Sequence, residues 1–164
     1  EGKYFTVDYT HQEIINALKA FKGRENFLDS YFEDFLSFAD TVPFDIVGHV
    51  DVFTKFNEKY NDFDENDSKY QKQVLSHIEK LAAKGRIFEV NTGAIGRGYR
   101  STPYPAPFIL KKLYELKSPV IINSDSHSVD TICQSFDLAE KLLKDIGYKE
   151  QMTLTENGFV SVPL

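Results

Sequence analysis

The chain has 164 residues, of which 41% are hydrophobic and 27% are charged, and its formal net charge is −6. This length suits one folded domain, predicted to span residues 1–164, and the composition differs from that of disordered chains. The acidic balance, without any long basic block, argues against nucleic acid as the main partner. The sequence has no apolar run of the roughly 20 residues that a membrane-spanning helix needs, so we expect no membrane association.

Cysteine usage points to a reducing compartment. The single cysteine, Cys133, excludes an internal disulfide framework, and we expect a cytoplasmic protein. The first ten residues do not have the form of a secretory signal peptide. Met152 is the only methionine, so we expect the sequence to be a processed product or part of a longer protein. The oligomeric state stays open.

The amino-terminal part is predicted to be helical. Thr10 and Glu13 match the capping-box pattern that begins many helices. The apolar periodicity that follows predicts a helix over residues 11–22, and Gly23 is a typical residue after a helix end. A second apolar stripe predicts a helix over residues 26–39.

The rest of the chain alternates apolar strands with amphipathic helices. This alternation predicts an α/β architecture in which parallel strands are joined by helical crossovers. Strands are predicted at 44–50, 86–92, 118–127 and 158–164, helices at 68–84, 107–117 and 129–147, and loops at 57–70 and 93–107.

Three of the predicted strands end in polar residues. The first strand ends in His49 and Asp51, Glu89 lies near the end of the second, and Asp125 and His127 close the third. In parallel α/β proteins ligands bind at the carboxyl ends of the strands, so we expect these side chains to converge on one face. Imidazole and carboxylate together suit Zn, Mn or Fe, and a site in which a carboxylate bridges several metals.

Each of these residues also has a purely structural alternative. Asp125 and His127 could belong to a hydrogen-bonded loop, and His49 could be a core histidine with satisfied partners. Glu89 could form a structural ion pair, since a carboxylate between apolar neighbours needs a partner. If the third strand stays extended through "SDSH", Asp125 and His127 share one side of it and face the pocket together.

The loop at 93–107 contributes two arginines. Arg97 and Arg100 stand among glycines and prolines, directly after the strand that carries Glu89, so we expect the loop to overhang the same face. Arginine forks match phosphate oxygens bidentately, which predicts a small phosphorylated substrate. The alternative is a solvent-exposed basic loop. The serine-hydrolase elbow, the P-loop and the dinucleotide fingerprint do not occur in the sequence.

Taken together, "GHVD", "EVNTGAIGRGYRSTPYP" and "SDSH" resemble the histidinol-phosphate phosphatases of the polymerase-and-histidinol-phosphatase (PHP) superfamily, and the resemblance covers most of the chain. It implies the C-terminal part of a distorted (β/α)7 TIM-like barrel with a trinuclear metal site at the strand carboxyl ends. It also implies hydrolysis of L-histidinol phosphate to L-histidinol and phosphate, a step of histidine biosynthesis.

The resemblance also implies roles for the polar residues at the strand ends. Asp125 would be a ligand that also exchanges a proton with water or with the leaving group. By motif, the implied roles are metal ligand for His49, Asp125 and His127, catalytic group for Asp125 and His127, phosphate binding for Arg97 or Arg100, and support of the ligands for Asp51 and Glu89.

The sequence departs from the family in one respect. The family also has a His-x-His strand, a further His, a bridging Glu and a Ser-x-His, whereas this sequence has four histidines and no His-x-His. We therefore expect a portion of such a barrel that lacks the N-terminal strands and about half of the metal ligands, with little turnover on its own. Two alternatives are a phosphoesterase of the same superfamily for another phosphate, such as a nucleotide, and a non-catalytic domain with this fold.

Overall fold

The structure is a computed structural model that describes residues 4–164, so the predicted domain of 1–164 includes three residues outside the described range. The helices are α1 (His11–Ala20), α2 (Arg24–Thr41), α3 (Asn57–Tyr60), α4 (Ser68–Ala82), α5 (Gly93–Gly96), α6 (Pro107–Glu115) and α7 (Phe136–Ile146). The strands are β1 (Ile46–Val47), β2 (Ile87–Asn91), β3 (Val120–Asn123), β4 (Glu150–Thr155) and β5 (Gly158–Pro163).

A parallel three-stranded sheet in the order β1-β2-β3 forms the centre of the fold. Phe88 of β2 pairs with Val47 on one side and with Val120 on the other. The connection from β1 to β2 contains α4, and the connection from β2 to β3 contains α6. The predicted parallel strands with helical crossovers are therefore confirmed, and the carboxyl ends of the three strands lie at one edge of the sheet.

The helices cover the sheet with their apolar faces. Val74, Ile78 and Leu81 of α4 are completely buried, as are Leu110 and Leu113 of α6. Their spacing of three and four residues places them on one side of each helix. Each such side chain contributes about 1.5–3 kcal/mol when buried, and these two faces belong to the same hydrophobic core as the sheet.

The sheet does not close into a barrel within residues 4–164. The last part of the chain instead forms a separate antiparallel hairpin of β4 and β5. The predicted strand at 158–164 corresponds to β5, whereas β4 was not predicted, because its polar and half-exposed residues lack a buried alternating pattern. Among the described residues, no helix combines the length and the apolar character that crossing a bilayer requires.

The first and third of the strands that precede the polar motifs are much shorter than predicted. The run at 44–50 forms a strand only at β1, because the chain then turns and the Val52 N–H donates to the His49 carbonyl at 2.9 Å. The third strand ends at Asn123, and Asp125 has a left-handed backbone with φ 48°. The expectation of an extended Asp-x-His pair is therefore wrong.

Three other predicted boundaries also change. The loops at 57–70 and 93–107 each contain a one-turn helix, α3 and α5. The helix predicted over 129–147 is split into a 3-10 turn at Val129–Thr131 and α7. Cys133 and Ser135 between them both have φ 61°, which a continuous right-handed helix cannot contain.

Candidate functional site

Glu89 connects the ends of the three parallel strands. Its Oε2 accepts hydrogen bonds from the His49 backbone N–H at 2.8 Å and from Asn91 Nδ2 at 3.1 Å. Its Oε1 accepts from Asn123 Nδ2 at 3.0 Å. These three donors are neutral, so they do not form the structural ion pair considered as an alternative. A carboxylate engaged in this way holds the site together, which fits the predicted supporting role of Glu89.

Asp125 meets Arg97 and His127 just beyond β3. Arg97 Nη2 lies 3.0 Å from Asp125 Oδ2, and Arg97 Nη1 donates to the Asp125 backbone carbonyl at 2.8 Å. His127 Nε2 lies 3.6 Å from the other carboxylate oxygen, Oδ1. Two of the predicted metal ligands and one predicted phosphate-binding arginine therefore lie within direct reach of one another.

A glycine allows Arg97 to fold back over α5 toward Asp125. A Cβ on Gly93 would lie 2.7 Å from Arg97 Nη2 and 2.9 Å from the Ser124 carbonyl oxygen. Real Cβ atoms essentially never approach another heavy atom this closely, so any larger residue at position 93 would push the guanidinium away. The Gly93 backbone is held by its N–H, which donates to Asn91 Oδ1 at 2.9 Å.

The charge of Asp125 is stabilised by its neighbours. Partial burial by itself would raise the pKa of Asp125, but the hydrogen bond and the positive charge of Arg97 outweigh it, and the pKa is lowered. A hydrogen bond from Asn91 and the charge of His49 act in the same direction. Asp125 is therefore a carboxylate at neutral pH, the form in which it can bind a cation.

A small cavity of about 120 Å³ opens between α5 and the loop that follows β3. It is lined by groups from three segments of the chain, among them Thr92, Gly93, Arg97, Asp125, His127 and Gln134. The His127 side chain is 73% exposed, so its imidazole reaches toward solvent at the mouth of this cavity.

His49 and Asp51 occupy different surroundings. His49 lines a larger, mostly apolar groove of about 620 Å³ beside β1, together with Phe35 and Phe38. Asp51 is completely buried, and its Oδ2 accepts a hydrogen bond from the Ala106 backbone N–H at 2.8 Å. Burial raises the pKa of Asp51 to about 6, although the charge of Arg100 opposes the shift. Asp51 is thus placed to hold the loop that contains the arginines.

The structure separates the two predicted phosphate-binding arginines. Arg100 Nη1 donates to the Thr54 side chain at 2.7 Å and to the Thr54 carbonyl at 3.0 Å, and it pairs with Glu65 at 3.0 Å. Its side chain is only 2% exposed. The fork of Arg100 is therefore enclosed by protein, and the alternative of a solvent-exposed loop is wrong for this residue. Arg97 alone of the pair lies beside Asp125.

The donor atoms of the site suit a divalent metal ion of the Zn, Mn or Fe class. Asp125 offers a charged oxygen and His127 an imidazole nitrogen, which is the combination that these metals accept. Residues 4–164 nevertheless contain no group of three or more His, Cys, Asp or Glu side chains arranged around one point. Within this range, Asp125 and His127 therefore meet without a third side chain of these types.

Two asparagines and one glutamate have roles that were not predicted. Asn91 and Asn123 are paired in register at the ends of β2 and β3, and both donate to Glu89. Their matching positions at the ends of "EVN" and "IIN" were the available signal. Glu65, the partner of Arg100, lies in an acidic segment without any comparable signal.

The chain is similar to known proteins both in sequence and in structure. No family model matches the chain. Over 103 residues, or 62% of this chain, the sequence is 26% identical to a protein of Schizosaccharomyces pombe named "Probable histidinol-phosphatase". The match covers 33% of the S. pombe protein, so the chain spans about a third of the length of this curated relative.

Solved structures of histidinol phosphatases have a similar fold. A candidate histidinol phosphatase, hisK, from Listeria monocytogenes superposes with a TM-score of 0.65 at 20% identity, over 84% of this chain and 53% of the other. The histidinol phosphate phosphatase from Lactococcus lactis, solved with zinc, L-histidinol and phosphate, gives 0.63 at 19% identity, over 83% and 51%. The resemblance predicted from the three motifs is therefore confirmed, and the chain spans about half the length of these structures.

Proposed function

We propose that this chain carries part of the active site of a metal-dependent phosphatase that converts L-histidinol phosphate to L-histidinol and phosphate. The observation that carries the proposal is the contact of Asp125 with both Arg97 and His127 at the carboxyl end of β3. The name of the S. pombe relative and the zinc, L-histidinol and phosphate bound by the L. lactis enzyme support this reaction and this substrate.

The metal ligands proposed for this chain are Asp125, His127 and His49. The full trinuclear site needs further ligands, because the sequence has four histidines and no His-x-His. We therefore propose that the chain forms the C-terminal portion of a distorted (β/α)7 barrel, and that these 164 residues alone have little turnover. When bound, Zn, Mn or Fe ions would neutralise charge on the phosphate oxygens and make water more acidic.

The residues of this chain would divide the work around the phosphate. The lowered pKa of Asp125 suits a permanently charged ligand, and it disfavours a role as proton donor to the leaving group. Arg97 would bind a phosphate oxygen with its fork. Glu89 would hold the three strand ends in register, while Arg100 would anchor the loop that carries Arg97.

Hydrolysis by the full-length protein tests the proposal. We expect phosphate release from L-histidinol phosphate that depends on added Zn or Mn and is abolished by a chelator. Asp125→Asn and His127→Ala should each lower the rate by more than about 100-fold, since loss of a supporting residue alone typically costs 10–100-fold. Asp130→Asn is the matched control, because Asp130 is an exposed carboxylate in the same loop.

The same assay separates the alternatives. Faster hydrolysis of a nucleotide than of L-histidinol phosphate would assign another substrate to the same site. A full-length protein that binds no transition metal and hydrolyses none of these phosphates would be a non-catalytic domain. Cytoplasmic location is likewise a proposal, supported by the lone Cys133.

A further inference from the structure

Arg97 directs both arms of its guanidinium at a single residue. Nη1 donates to the Asp125 backbone carbonyl at 2.8 Å, and Nη2 donates to Asp125 Oδ2 at 3.0 Å. The second carboxylate oxygen, Oδ1, faces His127 Nε2 at 3.6 Å. The carboxylate proposed to bind a metal ion is thus already paired with a cation from the same chain.

We propose that Arg97 has two positions: it occupies the Asp125 carboxylate while no metal ion is bound, and it is released to bind a substrate anion once a divalent metal takes that carboxylate. This inference rests on the proposed function, because it uses Asp125 and His127 as metal ligands. It adds an order of binding, in which the metal precedes the phosphate.

The exposure of the pair suits an exchange of partners. The Arg97 side chain is 31% exposed and that of Asp125 is 33% exposed, so water reaches both groups. Ion pairs at such exposure contribute about 0–1 kcal/mol, and breaking them costs little. Arg97 also has a contact that the metal does not contest, because Nη1 bonds to the backbone carbonyl and not to the carboxylate.

Space for the second position lies next to the first. Arg97, Asp125 and His127 line the same cavity of about 120 Å³. Gly93 has no side chain at the Cβ position that lies 2.7 Å from Nη2, so the guanidinium packs directly against the backbone at the cavity wall. A fork that leaves Oδ2 can therefore stay at the cavity wall, where it would meet an anion bound beside Asp125.

Competition for the carboxylate follows from charge. A guanidinium and a divalent ion on one carboxylate oxygen would repel each other strongly at a separation of a few ångströms. The Arg97–Asp125 contact stabilises the protein without metal. The free energy of this contact is lost when a metal ion binds, so the contact lowers the metal affinity. By linkage, a metal ion must weaken the Arg97–Asp125 contact by the same factor and so free the fork.

The test compares Co²⁺ affinities of full-length variants in the absence of phosphate, by competition with a chromophoric chelator. Arg97→Gln should bind Co²⁺ roughly two- to fivefold more tightly than the wild type, because the competitor is gone. Arg97→Lys keeps the charge but loses the planar fork, so it should also bind more tightly, by a smaller factor. Arg24→Gln, at an exposed arginine in another part of the fold, is the control with the same change in charge and should match the wild type.

The outcomes separate this inference from the proposed function. Equal or weaker Co²⁺ binding by Arg97→Gln overturns the two-position role, while Co²⁺ binding by the wild type leaves the proposed function standing. Tighter binding by Arg97→Gln together with wild-type affinity in Arg97→Lys would show simple charge repulsion, and this also overturns it. A wild type that does not bind Co²⁺ removes the proposed function and the inference together.

Discussion

Two arginines of one loop, three positions apart, have opposite surroundings. Arg97 is 31% exposed and contacts Asp125 at the cavity, whereas Arg100 is 2% exposed and is enclosed by Thr54 and Glu65. Gly98 between them has φ 71°, and this turn sends the two side chains in different directions. Burial therefore distinguishes the two arginines of one basic motif: Arg100 anchors the loop, and Arg97 is left at the cavity, where we propose that it binds a ligand.

Removing the anchor should have the largest effect on stability. Arg100→Met leaves Glu65 and the fully buried Asp51 without their cation, and breaking a buried pair from one side costs about 3–5 kcal/mol. We expect this loss in the free energy of unfolding, measured with urea. A loss below about 1 kcal/mol would mean that the difference in burial between the two arginines has no energetic consequence.

Loss of the Glu89 carboxylate, which connects the three strand ends, should have the second-largest effect on stability. In Glu89→Gln an amide NH2 replaces one carboxylate oxygen, so it faces either Asn123 Nδ2 or the two donors of His49 and Asn91. A partly buried donor is then left unsatisfied, at about 1–3 kcal/mol. Metal affinity of the full-length protein should fall by about 10–100-fold. Glu156→Gln, at an exposed position, is the control and should change neither quantity.

A substitution of Gly93, against which the Arg97 guanidinium packs, should have the third-largest effect on stability. Gly93→Ala places a Cβ 2.9 Å from the Ser124 backbone oxygen, and such overpacking typically costs about 1–3 kcal/mol of unfolding free energy. Gly96→Ala is the matched control in the same helix, because its Cβ would meet the flexible end of Gln134 and the effect should stay within about 0.5 kcal/mol. Equal losses of unfolding free energy in Gly93→Ala and Gly96→Ala would contradict the close packing at Gly93.

The exposed arginine should have the smallest effect on stability. Arg97→Met removes an ion pair that water already reaches, so the free energy of unfolding should fall by less than about 1 kcal/mol. If Arg97→Met costs as much as Arg100→Met in the same urea titration, then Arg97 is also an anchor and the contrast between the two residues fails.

The architecture follows from the sequence because it depends on periodicity. The alternation of apolar strands and amphipathic helices correctly predicts parallel strands joined by α4 and α6. Strand lengths are harder to predict from the sequence, because they depend on where the backbone turns. The turn at His49 shortens β1, and the left-handed Asp125 ends the extended course of β3, although neither residue type excludes a strand.

For the same reason, only part of the candidate site can be predicted from the sequence. The polar strand ends identify Glu89, Asp125 and His127, since parallel strands bring their carboxyl ends together. The distinction between Arg97 and Arg100 depends on Glu65, which lies 35 positions away in a segment that reads as a surface loop. A partner supplied by a distant and irregular segment has no periodic signal in the sequence.

The glutamine of the terminal hairpin affects how this sheet can grow. Gln151 Oε1 accepts a hydrogen bond from the Ile122 backbone N–H of β3 at 3.2 Å, and β4 packs beside that strand. A side chain thus occupies a backbone donor that an incoming strand would need. Among the described residues β1 pairs only with β2, so the sheet can accept a further strand beyond β1, while edge-to-edge association at β3 would first have to displace the hairpin.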